Sequence, residues 1–224
     1  MNLFRRALRL FLTVLGLIGG TAVSAALYLT RQITQPDRQP LWATPNEVGL
    51  AYENVRFPAQ DGVNLSGWFI PATAANAATH AATVIIVHGW PWNRLGDSAN
   101  NLLANIIGAK PVDFLRLAYG LHHDVFNVLM FDLRNHGESD SLAPVTFGVE
   151  EKRDLLGALD YVSQRPDVDP QRIGTIGFSM GGNTVLYTLN RTNQIKAAVA
   201  VQPTSISVFA PRFAQDMFGV LGKM

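Results

Sequence analysis

The stretch Ile173-Gly174-Thr175-Ile176-Gly177-Phe178-Ser179-Met180-Gly181-Gly182 begins as a short apolar run of strand type and breaks at a Gly-x-Ser-x-Gly turn. Asn183-Thr184-Val185-Leu186-Tyr187-Thr188-Leu189 continues it as a buried helical pattern. A serine that attacks a carbonyl must stand clear of its own backbone. A very tight strand-to-helix turn achieves this only where the neighbouring residues carry almost no side chain, and Gly177 and Gly181 occupy those places. Gly182 lets the next helix pack closely, and that helix aims its first N–H groups where negative charge would develop. In a chain with 19 glycines the five-residue pattern alone is weak. The strand before it and the helix after it carry the reading of Ser179 as a nucleophile.

Outward from this turn, strand and helix patterns alternate. Residues 83–87 (Thr-Val-Ile-Ile-Val) are a continuous β-branched run, the mark of a central parallel strand buried on both faces, and His88-Gly89-Trp90 follows. A mainly helical interval over 95–123 leads to a second buried strand at 125–131, closed by Asp132-Leu133-Arg134-Asn135-His136-Gly137-Glu138-Ser139. In 148–164, Leu155, Leu156, Leu159 and Val162 recur at helical spacing with charges opposite, which predicts an amphipathic crossover helix; Asp167-Val168-Asp169-Pro170 ends that unit. Earlier, 54–58 and 65–70 predict two antiparallel strands around Asp61-Gly62, and the alanine-rich 71–82 predicts an exposed loop with a solvated His80. After the elbow helix, 197–201 predicts a further short buried strand. Residues 206–221, with Phe209, Phe213, Met217 and Phe218, predict the start of a helical cap. This alternation predicts a mostly parallel, doubly wound α/β sheet in one domain.

The N-terminus has a different composition. Residues 10–30 contain no charge, follow Arg5, Arg6 and Arg9, and are long enough to cross a bilayer. The expected division is an anchor or signal segment at 1–33, a polar linker with Pro36, Pro40 and Pro45 at 34–46, and the folded domain at 47–224, with its cap beginning at 205–224. The basic flank predicts a single-pass protein whose domain lies outside the cytoplasm. The alternative is secretion after cleavage at the small residues of Ala22-Val23-Ser24-Ala25-Ala26.

Hydrophobic content of 48% with 16% charged residues belongs to a globular chain. The formal charge is +1, and removing Arg5, Arg6, Arg9 and Arg31 from it leaves −3, which argues against a nucleic-acid surface. With no cysteine there is no disulfide, cysteine nucleophile or thiolate site, and no pair of histidines at helical ligand spacing stands beside a carboxylate. Neither a metal nor a cofactor is expected.

Taken together, Val87-His88-Gly89-Trp90, the Phe131 to Ser139 run and Gly177-Phe178-Ser179-Met180-Gly181-Gly182 resemble the α/β-hydrolase fold family, in order and at plausible separations. The likeness covers roughly 48–204 and is nearest to bacterial serine aminopeptidase-like and acyl-hydrolase-like members. It implies Ser179 as nucleophile, with the backbone N–H groups of Met180 and Trp90 as the oxyanion hole. The implied substrate is a small-molecule or peptide-like acyl compound. Trp92 and Phe178 are candidate pocket residues, although a hydrophobic plug explains Trp90 and Trp92 equally well. His88, Gly89, Asp132, Gly137, Gly177 and Gly181 are implied structural positions.

In this fold the triad order is Ser, acid, His. His136 precedes Ser179, and 45 residues follow Ser179 without a histidine. Asp216, the only aspartate among them, lies in the cap segment and is rejected as the triad acid. The acid and histidine are therefore not found in this chain, which is expected to be a fragment of a longer enzyme and inactive alone. The alternative is a catalytically silent binding module at the membrane surface. A further reading places Leu102, Leu103, Ile106 and Ile107 on an apolar helical face that rests on the bilayer, though core packing explains the same stripe more simply.

Overall fold

The computed structural model describes residues 2–72, 80–96 and 112–219. The residues 102, 103, 106 and 107, most of the 71–82 loop and the end of the cap segment lie outside them.

Six strands form one sheet in the order β1-β2-β4-β3-β5-β6: β1 Glu53–Pro58, β2 Asn64–Ile70, β3 Ala81–Val87, β4 Asn127–Phe131, β5 Val168–Phe178 and β6 Ile195–Val201. β1 pairs antiparallel to β2 and β2 antiparallel to β4, while β4, β3, β5 and β6 run parallel. Helix α2 (Phe114–His123) covers one face through Phe114, Leu115 and Ala118. On the other face lie α3 (Lys152–Ser163) and α4 (Met180–Leu189), which bury Leu155, Leu159, Val162 and Val185. The sheet is thus mostly parallel and doubly wound.

Three elements differ from their expected form. β4 begins at Asn127 because Val125 takes a left-handed φ of 69° and closes a turn against His122. β5 runs back through Pro170. Its pairing with β3 jumps from Ala81↔Val168 to Thr83↔Ile173, and such a bulge is where a strand tolerates proline. β6 is mostly exposed rather than buried, at the edge of the sheet beside β5.

Helix α1 (Asn2–Thr34) contains, within Phe4–Thr34, an 18-residue window of mean hydropathy 2.0. By length and composition it can cross a bilayer, a test a signal sequence also passes. Its 33 residues extend about 50 Å, more than the roughly 30 Å hydrocarbon layer, and Ile33 at its end is buried in the domain's core. Residues 34–46, read from composition as a linker, lie against the domain, with Pro36, Gln39 and Pro45 buried. Composition does not reveal this because the partners are main-chain groups of distant loops. Helix α5 (Ile206–Phe218) places Phe213 in the core and leaves Asp216 exposed.

Candidate active site

The register of the parallel strands sets the site. Val87 is level with Phe131 on one side and with Gly177 on the other, so β3, β4 and β5 end together. His88, Asp132 and Ser179 consequently emerge along one carboxyl edge, where open α/β sheets carry their ligands.

Ser179 is the half-buried link between β5 and α4, with φ 50° and ψ −113°. Few residues with a Cβ tolerate that backbone. It is held by the Ser179 N–H, which donates to Val201 O at 2.9 Å, and by Ser179 O, which accepts from Asn183 N at 3.1 Å. Glycine on either side is a steric requirement. A Cβ on Gly177 would lie 2.6 Å from Gly181 C and inside hard contact with Gly181 O. One on Gly181 would meet Val87 O and lie 2.5 Å from His88 O. A Cβ on Gly89 would fall 3.2 Å from Ser179 Cβ, 3.1 Å from Phe178 O and 3.1 Å from Trp92 Cε3. The loop after β3 and the serine turn therefore interlock.

Within that loop, the Trp90 N–H finds no acceptor among the described residues. The Trp90 indole is buried between Phe147, Phe209 and Phe213, with ring centroids 6.1, 5.2 and 5.6 Å away. It serves as a core plug that ties the loop to α5. Trp92 and Phe178 are both half-buried and converge on Phe114, at 6.2 and 4.9 Å. Met180 is buried as the first residue of α4.

The two histidines near the strand ends are committed elsewhere. His88 Nε2 accepts from Leu133 N–H at 3.0 Å, which leaves Nδ1 protonated and donating to Gly89 O at 2.8 Å. Burial, helped by His136 with its ring 5.0 Å away, pushes the His88 pKa down to about 3. His136 is lowered as well, chiefly by burial, and its Nδ1 bonds Arg134 O at 2.8 Å. Both rings are neutral in the folded state and protonated in the unfolded chain below an ordinary pKa of 6.5. The unfolded chain then binds more protons, so stability rises with pH and is lost as pH falls from about 6.5 toward 3. Urea unfolding of the full chain in detergent should show a midpoint that drops steeply below pH 6.5, with a shallower slope for His88→Gln. Equal slopes would show that other groups carry the effect.

Asp132 is fully buried. Its Oδ1 accepts from Arg94 N at 2.7 Å, and its Oδ2 accepts from Arg94 Nε at 3.0 Å, Arg94 Nη2 at 2.7 Å and Glu138 N at 2.8 Å. Gly137, at φ 45°, leaves the space this carboxylate fills. A second buried cation, Arg134, bonds Asp154 at 2.6 and 2.8 Å and Asp61 at 2.9 Å. Asp132 and its turn thus brace the strand ends. Among the described residues, no three His, Asp or Glu side chains are grouped to hold a metal.

A strained serine between two obligatory glycines, interlocked with a His-Gly loop on a doubly wound sheet, is one half of the case; the match of residues 82–224 to the alpha/beta hydrolase fold family is the other. The chain belongs to that family. This α/β-hydrolase chain is 36% identical over 151 residues to the uncharacterized protein YfhR of Salmonella typhimurium, covering 67% of this chain and 44% of YfhR. With the uncharacterized peptidase YuxL of Bacillus subtilis it shares 24% identity over 158 residues, 68% of this chain and 22% of YuxL. Among solved structures, the Pyrococcus furiosus esterase Pf2001 superposes with a TM-score of 0.60 at 29% identity, covering 76% of this chain and 56% of the esterase. The chain therefore spans about half the length, or less, of these proteins.

Several members of the site carried no sequence signal. Arg94 is 38 residues from Asp132, and Asp154 sits on the face of α3 that its leucines mark as apolar. Asn183 donates to Phe147 O at 3.1 Å and Thr204 O at 2.8 Å, binding two loops to α4. Only the pairing of opposite charges at strand ends could have suggested the first two.

Proposed function

We propose that this chain carries the nucleophile and oxyanion hole of a membrane-anchored serine hydrolase with its domain outside the cytoplasm, cleaving an ester, thioester or amide bond. Ser179 Oγ adds to the acyl carbon while its proton passes to a base. The N–H groups of Trp90 and Met180 receive the oxyanion, and the alcohol, thiol or amine departs with a proton to leave an acyl-enzyme that water hydrolyses. The observation that carries this reading is the Ser179 backbone at φ 50°, held clear between Gly177 and Gly181. His88 and His136 are bound to main-chain atoms and are not that base, so residues other than these supply it.

The same engagement of both histidines favours a second reading, a silent module that binds an acyl ligand or partner protein at the membrane. A fluorophosphonate probe separates the two. In native cells, modification of Ser179 supports the hydrolase, and an unlabelled Ser179 favours the binding module. For the purified full chain with an activated short-chain ester, turnover should stay near the residual 10³–10⁴-fold over water that an oxyanion hole and binding provide, with Ser179→Ala as control. Ser179-dependent turnover of roughly 1–10³ s⁻¹ would overturn the expectation that the chain alone is inactive.

A further inference from the structure

The segment that joins α1 to the domain touches the loop interlocked with the serine turn and also the loop after β4. Gln39 is 4% exposed, and its Nε2 donates to Pro91 O at 3.0 Å. In return, Asn93 Nδ2 donates to Gln39 O at 3.2 Å and to Pro40 O at 3.1 Å, while Asn93 Oδ1 accepts from Leu95 N at 2.9 Å. Gln39 therefore clasps the chain immediately after Trp90 from both its side chain and its main chain. One residue earlier, Arg38 donates to Gly137 O at 2.9 Å and Ser141 Oγ at 2.6 Å, on the loop after β4. Thr34 O accepts from Val145 N at 2.8 Å, and Ile33 enters the apolar cluster that contains Trp90, Phe147 and Phe213.

We infer that residues 34–40 act as a positioning strap for the loop at 89–93, and that Gln39 is its positioning residue. The loop has few alternatives. Trp92 N bonds Gly89 O within the turn, and the Pro91 carbonyl is fixed by Gln39. Removing that donor would leave a buried carbonyl without its partner and free the turn to drift. Because the strap continues directly from α1, the same contacts couple the position of the N-terminal helix to the geometry beside Ser179. The importance of this for catalysis rests on the oxyanion role proposed for Trp90; the coupling itself does not.

The test uses the full chain in detergent micelles and reads the loop rather than turnover. Gln39→Met keeps the length of the side chain and removes the N–H donor. The Gln39 Oε1 has no partner among the described residues, so the substitution orphans no further group there. Hydrogen exchange should quicken about tenfold across residues 89–96 while β3 stays unchanged. Fluorine NMR of the 5-fluorotryptophan-labelled chain should show the Trp90 and Trp92 resonances shifted and that of Trp68 unmoved. Gln39→Ala should give the same local pattern with a larger amplitude. Unaltered exchange over 89–96, or a uniform rise over β3 and β5, or failure of Gln39→Met to fold, would overturn the inference by assigning Gln39 to the general stability of the domain. None of these outcomes depends on hydrolysis, so a failed strap and a failed hydrolase assignment are distinguishable.

Discussion

Gly181→Ala is expected to lower the stability of the domain by at least about 3 kcal/mol. The added methyl would press on Val87 O and stand 2.5 Å from His88 O, both main-chain atoms at the end of the central strand. Neither can rotate away, so either the strand end or α4 must move, and the serine turn moves with them. Gly174→Ala is the control on the same strand, because its methyl would meet nothing nearer than Ala197 O at 3.5 Å, and its effect should stay below about 1 kcal/mol. Urea unfolding followed by tryptophan fluorescence measures both. A wild-type midpoint for Gly181→Ala would mean that the helix start and the strand end do not interlock as described.

Asp132→Ala should have a comparable effect, about 3–5 kcal/mol, for an electrostatic reason. The Arg94 side chain is 1% exposed and would keep only Glu138, whose side chain is 62% exposed. Two backbone donors, Arg94 N and Glu138 N, would lose their acceptor as well. Glu138→Ala, which removes only the solvated partner, should change stability by less than about 1 kcal/mol. Replacing Asp132 and Arg94 together by leucine should recover part of the loss, since no unpaired charge is then left buried. If the double replacement is as unstable as Asp132→Ala, the loss comes from the turn's backbone rather than from the stranded cation.

The serine turn was legible because its requirement is local: two glycines, a strand before and a helix after, all within about twenty residues. The β3 and β4 runs were legible because a strand covered on both faces must be apolar throughout. What stayed hidden depends on atoms far away in sequence. Gln39 reads as solvated in a proline-rich stretch, and its burial is set by the Pro91 carbonyl 52 residues on. Asp154 interrupts an apolar face because Arg134 arrives from the end of β4 to meet it. β6 has a core-like sequence in an edge position, which pattern alone cannot distinguish from the interior.

The backbone of Ser179 carries a consequence for how stable this chain can become. A serine held at φ 50° and ψ −113° retains about 1–3 kcal/mol of strain that a glycine at the same place would largely relieve. The position is thus the reverse of its neighbours: a side chain at Gly177 or Gly181 would press on main-chain atoms, while Ser179 keeps one against the interest of folding. Selection for stability alone would remove the side chain. Keeping it costs the domain stability that packing elsewhere offsets.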